Sequence, residues 1–156
     1  MAVLRFPSDQ FPRYPELSLA QPEGWLPLPD VGLPLALIKD VPPGEFRANV
    51  IAVISRFGAG YRIEQAISEV VTRLEPMPEY SEVDRDSGDI LGYPGFRIEG
   101  AYRDERAGTL VQAVRLVLVD RGPVRDLVQL TGSCAGCQVE HVLSSIREIQ
   151  DSLTIS

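Results

Sequence analysis

The two cysteines of the chain lie three positions apart, in the segment Ser133-Cys134-Ala135-Gly136-Cys137. A C-x-x-C pair directly before a helix lies near the positive end of the helix dipole, which lowers the thiol pKa and favours redox chemistry. In thioredoxin-like enzymes this motif follows an early strand of a βαβ unit, whereas here it follows a series of predicted hairpins. The motif therefore has two interpretations. We favour two small structural residues at a tight strand–helix junction, and the alternative is thiol-redox activity.

The only histidine, His141, follows Cys137 by four positions and adds a possible metal ligand. Cys134, Cys137 and His141 would form a C-x2-C-x3-H set, which is three ligands of a tetrahedral zinc site. A fourth ligand would have to come from Glu140, from Asp151 or from a partner chain. An exposed histidine in the first turn of a helix explains the position more simply, so the zinc site remains a weak candidate.

Sequence motifs of hydrolases and nucleotide-binding enzymes are absent. The chain contains neither a G-x-S-x-G elbow nor a Gly-Lys-Ser/Thr phosphate-binding loop. A lone histidine with no partner assigned from the sequence is a poor basis for a Ser-His-Asp triad. We therefore predict a binding or accessory protein rather than an enzyme, with no cofactor. No binding residue can be named from the sequence.

The net charge of the chain and the positions of its arginines indicate which classes of partner it could bind. The 22 acidic and 15 basic residues give a net charge of -7, whereas binding to a phosphate backbone needs a clustered cationic surface. Nucleic acid is therefore not an expected partner. Four arginines, Arg97, Arg103, Arg106 and Arg115, could line one sheet face and bind a carboxylate or an acidic partner. Their more ordinary role would be to keep an exposed strand face soluble.

The N-terminal segment carries no targeting signal that we can identify. The apolar run Ala2-Val3-Leu4 is too short for the core of a signal peptide, and Arg5 interrupts it. No later segment approaches the about 20 apolar residues that a membrane-spanning helix needs. We therefore expect a soluble, cytoplasmic protein without a membrane span.

Proline and glycine divide the first half of the chain into short elements. Residues 1–16 contain three prolines and are expected to form an extended arm, and residues 17–156 fit a single domain. A Pro-Glu-Gly turn directly before Trp25 is expected to direct this side chain into the core. Short strands are predicted at 17–20 and 35–39.

A longer strand and an amphipathic helix follow. The strand at 46–56 is apolar on both faces, which predicts a central strand covered on both sides. Apolar residues then recur at helical spacing from Ile63 to Leu74 and predict a helix near 61–75 that packs on the sheet.

The second half of the chain is typical of an antiparallel meander that ends in a helix. The predicted elements are an edge strand at 81–86, strands at 96–103, 109–120 and 124–131, and a helix at 138–153. The expected fold class is α+β, with a mostly antiparallel sheet of about six to seven strands flanked by two main helices. The free edge at 81–86 could pair with a second copy and form a homodimer.

Four segments in this order resemble one protein family. They are Leu17–Trp25, Phe46–Arg56 (FRANVIAVISR), Gly92–Tyr102 and Asp126–Ile155. Together they are similar to the LpqN-type proteins of actinobacteria, within the wider Mog/PsbP-like fold. The resemblance covers about residues 17–155.

The resemblance implies an αβα sandwich and a role in binding, with a partner protein or a lipid-like apolar small molecule as the ligand. LpqN-type members are typically envelope lipoproteins. This sequence departs from that pattern, because its cysteines lie far from the N-terminus and no lipobox is found. Lipid anchoring is therefore not expected.

Overall fold

The computed structural model describes residues 1–156. It contains nine strands, which form two antiparallel sheets, and two α-helices. The first half contains β1 (Leu17–Ser18), β2 (Trp25–Pro27), β3 (Leu35–Lys39), β4 (Asn49–Gly58) and α1 (Ile63–Leu74). The second half contains β5 (Ser81–Ser87), β6 (Gly95–Asp104), β7 (Gly108–Asp120), β8 (Val124–Ala135), α2 (Ser144–Asp151) and β9 (Thr154–Ile155).

The large sheet has seven strands in the order β2-β3-β4-β8-β7-β6-β5, and every neighbouring pair is antiparallel. Short connections make β5 to β8 a meander, because such connections can only join antiparallel neighbours. The pairing of β4 with β8 then joins the two halves of the chain. The predicted α+β class, the antiparallel sheet and the two helices are confirmed.

The two helices cover opposite faces of this sheet. On the face that we call the α1 face, Ala66, Val70 and Leu74 pack against apolar residues of β6, β7 and β8 such as Phe96 and Leu116. On the opposite face, the α2 face, Ile146 and Ile149 pack in another cluster of buried residues, with Trp25, Val50, Ala113 and Cys134. The alternation of side chains along β7 supplies both layers, since odd and even positions point to opposite faces.

Trp25 is 2% exposed, as its position after the turn predicted. It belongs to a strand, however, because residues 25–27 pair with residues 37–39 of β3. Pro27 at the end of the segment concealed this strand in the sequence, since proline is rare in sheets except at their edges.

The ends of the domain form a two-stranded sheet that the sequence did not predict. Leu17 of β1 pairs with Ile155 of β9, and the backbone amides of Glu16 and Ser156 each donate to the carbonyl of the other, at 2.9 and 3.0 Å. The strand predicted at 17–20 is present as β1, whereas its partner β9 has only two residues, too few to show an alternating pattern, and was not predicted. Residues 1–16 contain neither helix nor strand.

The C-terminal helix differs from its predicted form. A single helix was expected at 138–153, but the chain forms a 3-10 turn at Gly136–Gln138, a π-helical turn at Val139–Leu143 and then α2. The apolar stripe is maintained through the change of winding, because Val142, Leu143, Ile146 and Ile149 are all buried. Periodicity predicted the buried face correctly, and it could not resolve the winding.

Candidate functional site

The two cysteines have different environments. Cys134 lies in β8 and is fully buried in the cluster under α2, whereas Cys137 is exposed in the 3-10 turn, and both are free thiols. Burial, with a smaller contribution from Cys137, raises the pKa of Cys134 to about 11. A redox-active thiol needs the opposite shift, because the thiolate is the nucleophile.

The premise that placed these thiols at a helix N-terminus also needs correction. The α-helix begins at Ser144, ten residues after Cys134, and the intervening residues form the 3-10 and π-helical turns. The aligned dipole that would lower a thiol pKa is therefore missing next to Cys134. The geometry does not support the redox hypothesis, and the structural role remains our interpretation.

The weak zinc candidate also lacks geometric support. His141 is exposed on the π-helical turn, and Cys134 is buried in the core. No three His, Cys, Asp or Glu side chains of the chain converge in a way that could hold a metal ion.

Three of the four arginines from the sequence analysis are already paired with carboxylates. Arg115 contacts Asp151 at 2.5 Å, Arg97 contacts Asp86 at 3.8 Å, and Arg103 contacts Glu79 at 3.4 Å. Arg106 lies in the hairpin turn between β6 and β7 and has no acidic partner. The four therefore do not form a common row that is free to bind a carboxylate.

The sheet has an apolar area that no helix covers. Helix α1 packs on β6, on β7 from Val114 onward, and on the ends of β4 and β8 at Phe57 and Leu127. No helix covers the α1 face of β3, the first half of β4, the Leu110 end of β7 or the rest of β8. We call this area the open face. Four side chains on it are buried but belong to none of the three core clusters, and they are Ala36, Ile38, Leu110 and Ala135.

The central strand β4 is therefore covered on one side only. Val50 and Ala52 are fully buried on the α2 face. Ile51 and Val53 point to the open face and are only partly buried. The expectation that both faces of this strand are covered was wrong. A strand with one uncovered apolar face has the same sequence pattern as a strand that is buried on both faces.

A groove of about 490 Å³ crosses the open face beside α1. Its apolar floor consists of Ile51 and Val53, and Arg73 and Tyr102 lie at its margin. The remaining lining residues are Gln112, Gln129 and Thr131. The sheet register assembles it, because Ile51 is opposite Thr131 and Val53 is opposite Gln129. This volume is within the range of about 300–1,000 Å³ that is typical of small-molecule sites.

Hydrogen bonds orient the polar side chains of the groove. The Tyr102 hydroxyl lies 3.3 Å from Oε1 of Gln112, to which it donates, and Nε2 of Gln112 donates to Oγ of Ser133 at 3.2 Å. Burial raises the pKa of Tyr102, Asp104 raises it further, and Arg73 opposes the shift. The phenol is therefore a neutral donor at physiological pH.

A second cavity, of about 560 Å³, continues the groove toward the end of the sheet. Asn49 and Leu110 place it on the same face, each two residues from a groove residue of its own strand. Its carboxylates are already engaged, because Glu45 accepts a bond from Gln138 at 3.0 Å and Asp104 accepts bonds from the backbone of the following turn. Its two arginines, Arg47 and Arg106, have no acidic partner.

Comparison with known proteins gives one family and one fold. A sequence model of the family described as "Probable lipoprotein LpqN" matches residues 8–156. The crystal structure of LpqN from Mycobacterium tuberculosis, described as involved in cell envelope biogenesis, is 17% identical to this chain. The match covers 93% of this chain and 86% of that one, with a TM-score of 0.79. A search among curated protein sequences finds no match.

Two further structures share the fold at lower similarity. PsbP from the cyanobacterium Synechocystis is 13% identical over 90% of this chain and 87% of its own, with a TM-score of 0.60. The Ran-binding protein Mog1p of Saccharomyces cerevisiae is 12% identical over 89% of both chains, with a TM-score of 0.55. The resemblance and the Mog/PsbP-like fold inferred from the four sequence segments are therefore confirmed.

The expected cytoplasmic location is wrong. The matching family is one of lipoproteins, and the similar mycobacterial protein is linked to the cell envelope, so the comparisons point to a location outside the cytoplasm. The expectation depended on the residues that follow Met1, which cannot exclude a lipoprotein. Neither α-helix has the length and apolar character needed to span a bilayer.

Proposed function

Because this chain belongs to the family described as "Probable lipoprotein LpqN", we propose that it is a non-catalytic binding module of the cell envelope. Its ligand is a partner protein or an apolar small molecule. The ligand binds on the open face, with the groove beside α1 at its centre.

The uncovered apolar surface of the open face carries this proposal. In a folded domain an apolar sheet face normally packs against another layer. Here Ile51 and Val53 lack such a layer, although they lie near the middle of a seven-stranded sheet. A bound ligand would complete the missing layer and remove these side chains from water, at about 25 cal/mol per Å² of apolar surface.

The chemistry of the groove favours binding over catalysis. Amides and hydroxyls, from residues such as Gln112 and Thr131, make up most of its polar lining. These groups orient a ligand by hydrogen bonds and do not exchange protons near neutral pH. The Tyr102 phenol, whose pKa is raised, adds no base at that pH.

Relatives support a location in the cell envelope and a role in binding. The similar mycobacterial protein is involved in cell envelope biogenesis, and the yeast protein of the same fold binds Ran. A shared fold does not fix a function, so these relatives support a binding role for this chain without naming its ligand.

Substitution of a valine on the open face tests the proposal. Val53→Arg places a charge on the floor of the groove, and Val83→Arg places the same charge on the exposed edge strand β5, where Val83 is 64% exposed. Native mass spectrometry of the protein purified from its own host is the measurement. We expect a bound molecule or partner that Val53→Arg loses and Val83→Arg retains.

Two results would count against the open face as the site. One is a partner that both variants retain equally, which would place binding elsewhere on the molecule. The other is wild-type protein that carries no bound species after purification from its own host. Circular dichroism of both variants verifies that the comparison is between folded proteins.

A further inference from the structure

The groove contains a single charged side chain, and from its position we infer that the ligand is a small amphiphile with one anionic head group, such as a carboxylate on an apolar chain. Arg73 binds the head, and the floor of β4 receives the chain. This inference rests on the proposed binding function and specifies the ligand chemistry at the same site.

Arg73 is available for an anion. It lies in the last turn of α1 and makes no ion pair or side-chain hydrogen bond within the chain. Arg73 shares this unpaired state with Arg47 and Arg106 of the adjoining cavity. In contrast, Arg115 and Arg147 are paired with carboxylates. The chain has a net charge of -7, yet Arg73 remains unpaired beside an apolar floor. This arrangement is complementary to a ligand that has an anionic group attached to an apolar body.

The neighbours of Arg73 can complete a carboxylate site. A guanidinium binds a carboxylate through two parallel hydrogen bonds, which are stronger than bonds between neutral groups. The side-chain amide of Gln129 also lines the groove; one of its two N–H groups donates to Thr131 at 3.4 Å, and the other can donate to a ligand. No carboxylate of the chain lines the groove to compete for these donors.

The apolar floor of the groove runs along β4 and can accommodate the apolar chain of a ligand. Ile51 and Val53 are on the same side of β4, and the adjoining cavity starts at Asn49, four residues from Val53. Four residues of strand span about 13 Å, which fits an extended hydrocarbon chain of medium length. A head group at Arg73 would leave the chain free to lie along this strand.

Three amphiphiles with apolar chains of about the same length, nine or ten carbons, test the charge of the head group. Decanoate is anionic, decyl maltoside is neutral and decyltrimethylammonium is cationic. Their affinities are measured by isothermal titration calorimetry below their critical micelle concentrations. We expect decanoate to bind at least tenfold more tightly than the other two, and its affinity to fall as salt screens the Arg73 contact.

Arginine variants localise the effect. Arg73→Gln should reduce the affinity for decanoate to that of decyl maltoside. Arg5→Gln removes the same charge from an exposed position of the N-terminal arm, which lines neither the groove nor the adjoining cavity, and should retain the preference for decanoate. Equal losses in both variants would indicate a general effect of net charge and would overturn the role of Arg73.

The outcomes separate this inference from the function on which it rests. If all three amphiphiles bind equally and Val53→Arg abolishes their binding, the open face is a binding site and the anionic head group is wrong. If wild-type protein binds none of them, the amphiphile is wrong. The native mass spectrometry of the valine variants still decides whether the open face binds a protein.

Discussion

Gly132 of β8 lies directly under Ile146 of α2, so close that a Cβ atom at residue 132 would overlap the Cγ2 atom of the isoleucine. Both residues are buried, and Ile146 is fully inaccessible to solvent. The absence of a side chain at Gly132 therefore sets the distance between the C-terminal helix and the sheet.

Gly132→Ala should destabilise the protein by about 1–3 kcal/mol, because an added methyl group in a packed core forces neighbours out of their preferred rotamers. The free energy of unfolding, measured by urea denaturation, is the readout. Gly60→Ala is the matched control, since a Cβ atom there would meet no atom within 4 Å. Equal stability of the two variants would show that α2 can shift without cost.

The buried carboxylate of Asp126 gives a second prediction. It is fully buried and receives two bonds from Arg56, at 2.8 and 2.9 Å. Arg56→Met should cost about 3–5 kcal/mol, because it leaves a buried charge without its partner. Thermal and urea unfolding measure the loss.

An exposed pair provides the control for that variant. Arg103 and Glu79 lie 3.4 Å apart, and both side chains are more than 70% exposed. Arg103→Met should therefore change the free energy of unfolding by no more than about 1 kcal/mol. If Arg56→Met were equally mild, water would have to reach Asp126 in the folded protein.

Cysteine reactivity gives the third prediction. Iodoacetamide should modify Cys137 readily and Cys134 slowly at pH 7–9, because Cys134 is buried and its pKa is raised to about 11. Peptide mass spectrometry measures the two rates, and unfolding in urea should make them equal.

Ionisation of Cys134 makes the free energy of unfolding depend on pH in a definite direction. Its folded pKa lies above the ordinary value of 9.0, so an unfolded chain releases the proton first. This thiol therefore contributes stability that is lost as pH rises from about 9 to about 11. An inflection in Cys134 alkylation near neutrality would contradict the structural interpretation and revive the redox one.

The sequence predicted those elements whose periodicity is long and regular. The helix predicted near 61–75 and the strand predicted at 109–120 have ten or more residues with a clear apolar pattern, and their observed bounds, Ile63–Leu74 and Gly108–Asp120, differ from the predicted ones by at most two residues. The edge strand predicted at 81–86 is also present, at Ser81–Ser87. Its charged residues predicted this position, because they indicate that both faces of the strand are exposed to solvent.

The groove could not be found in this way. Its lining comes from α1, β4, β6, β7 and β8, and only the register, which places Ile51 opposite Thr131, brings them together. Periodicity shows that Ile51 and Val53 share a face, and it cannot show whether a second layer covers that face. The C-x-x-C spacing was misleading for a similar reason, since it does not reveal that Cys134 is inside the core.

The pairing of β1 with β9 determines how the domain would respond to a pulling force. Residues 16 and 156 lie at the same end of this small sheet, where their backbones are hydrogen-bonded to each other. A load applied between these two residues would therefore peel the pair open one bond at a time, rather than shear all its bonds together. The two short strands would yield first under tension, while the seven-stranded sheet that carries the groove would still be folded.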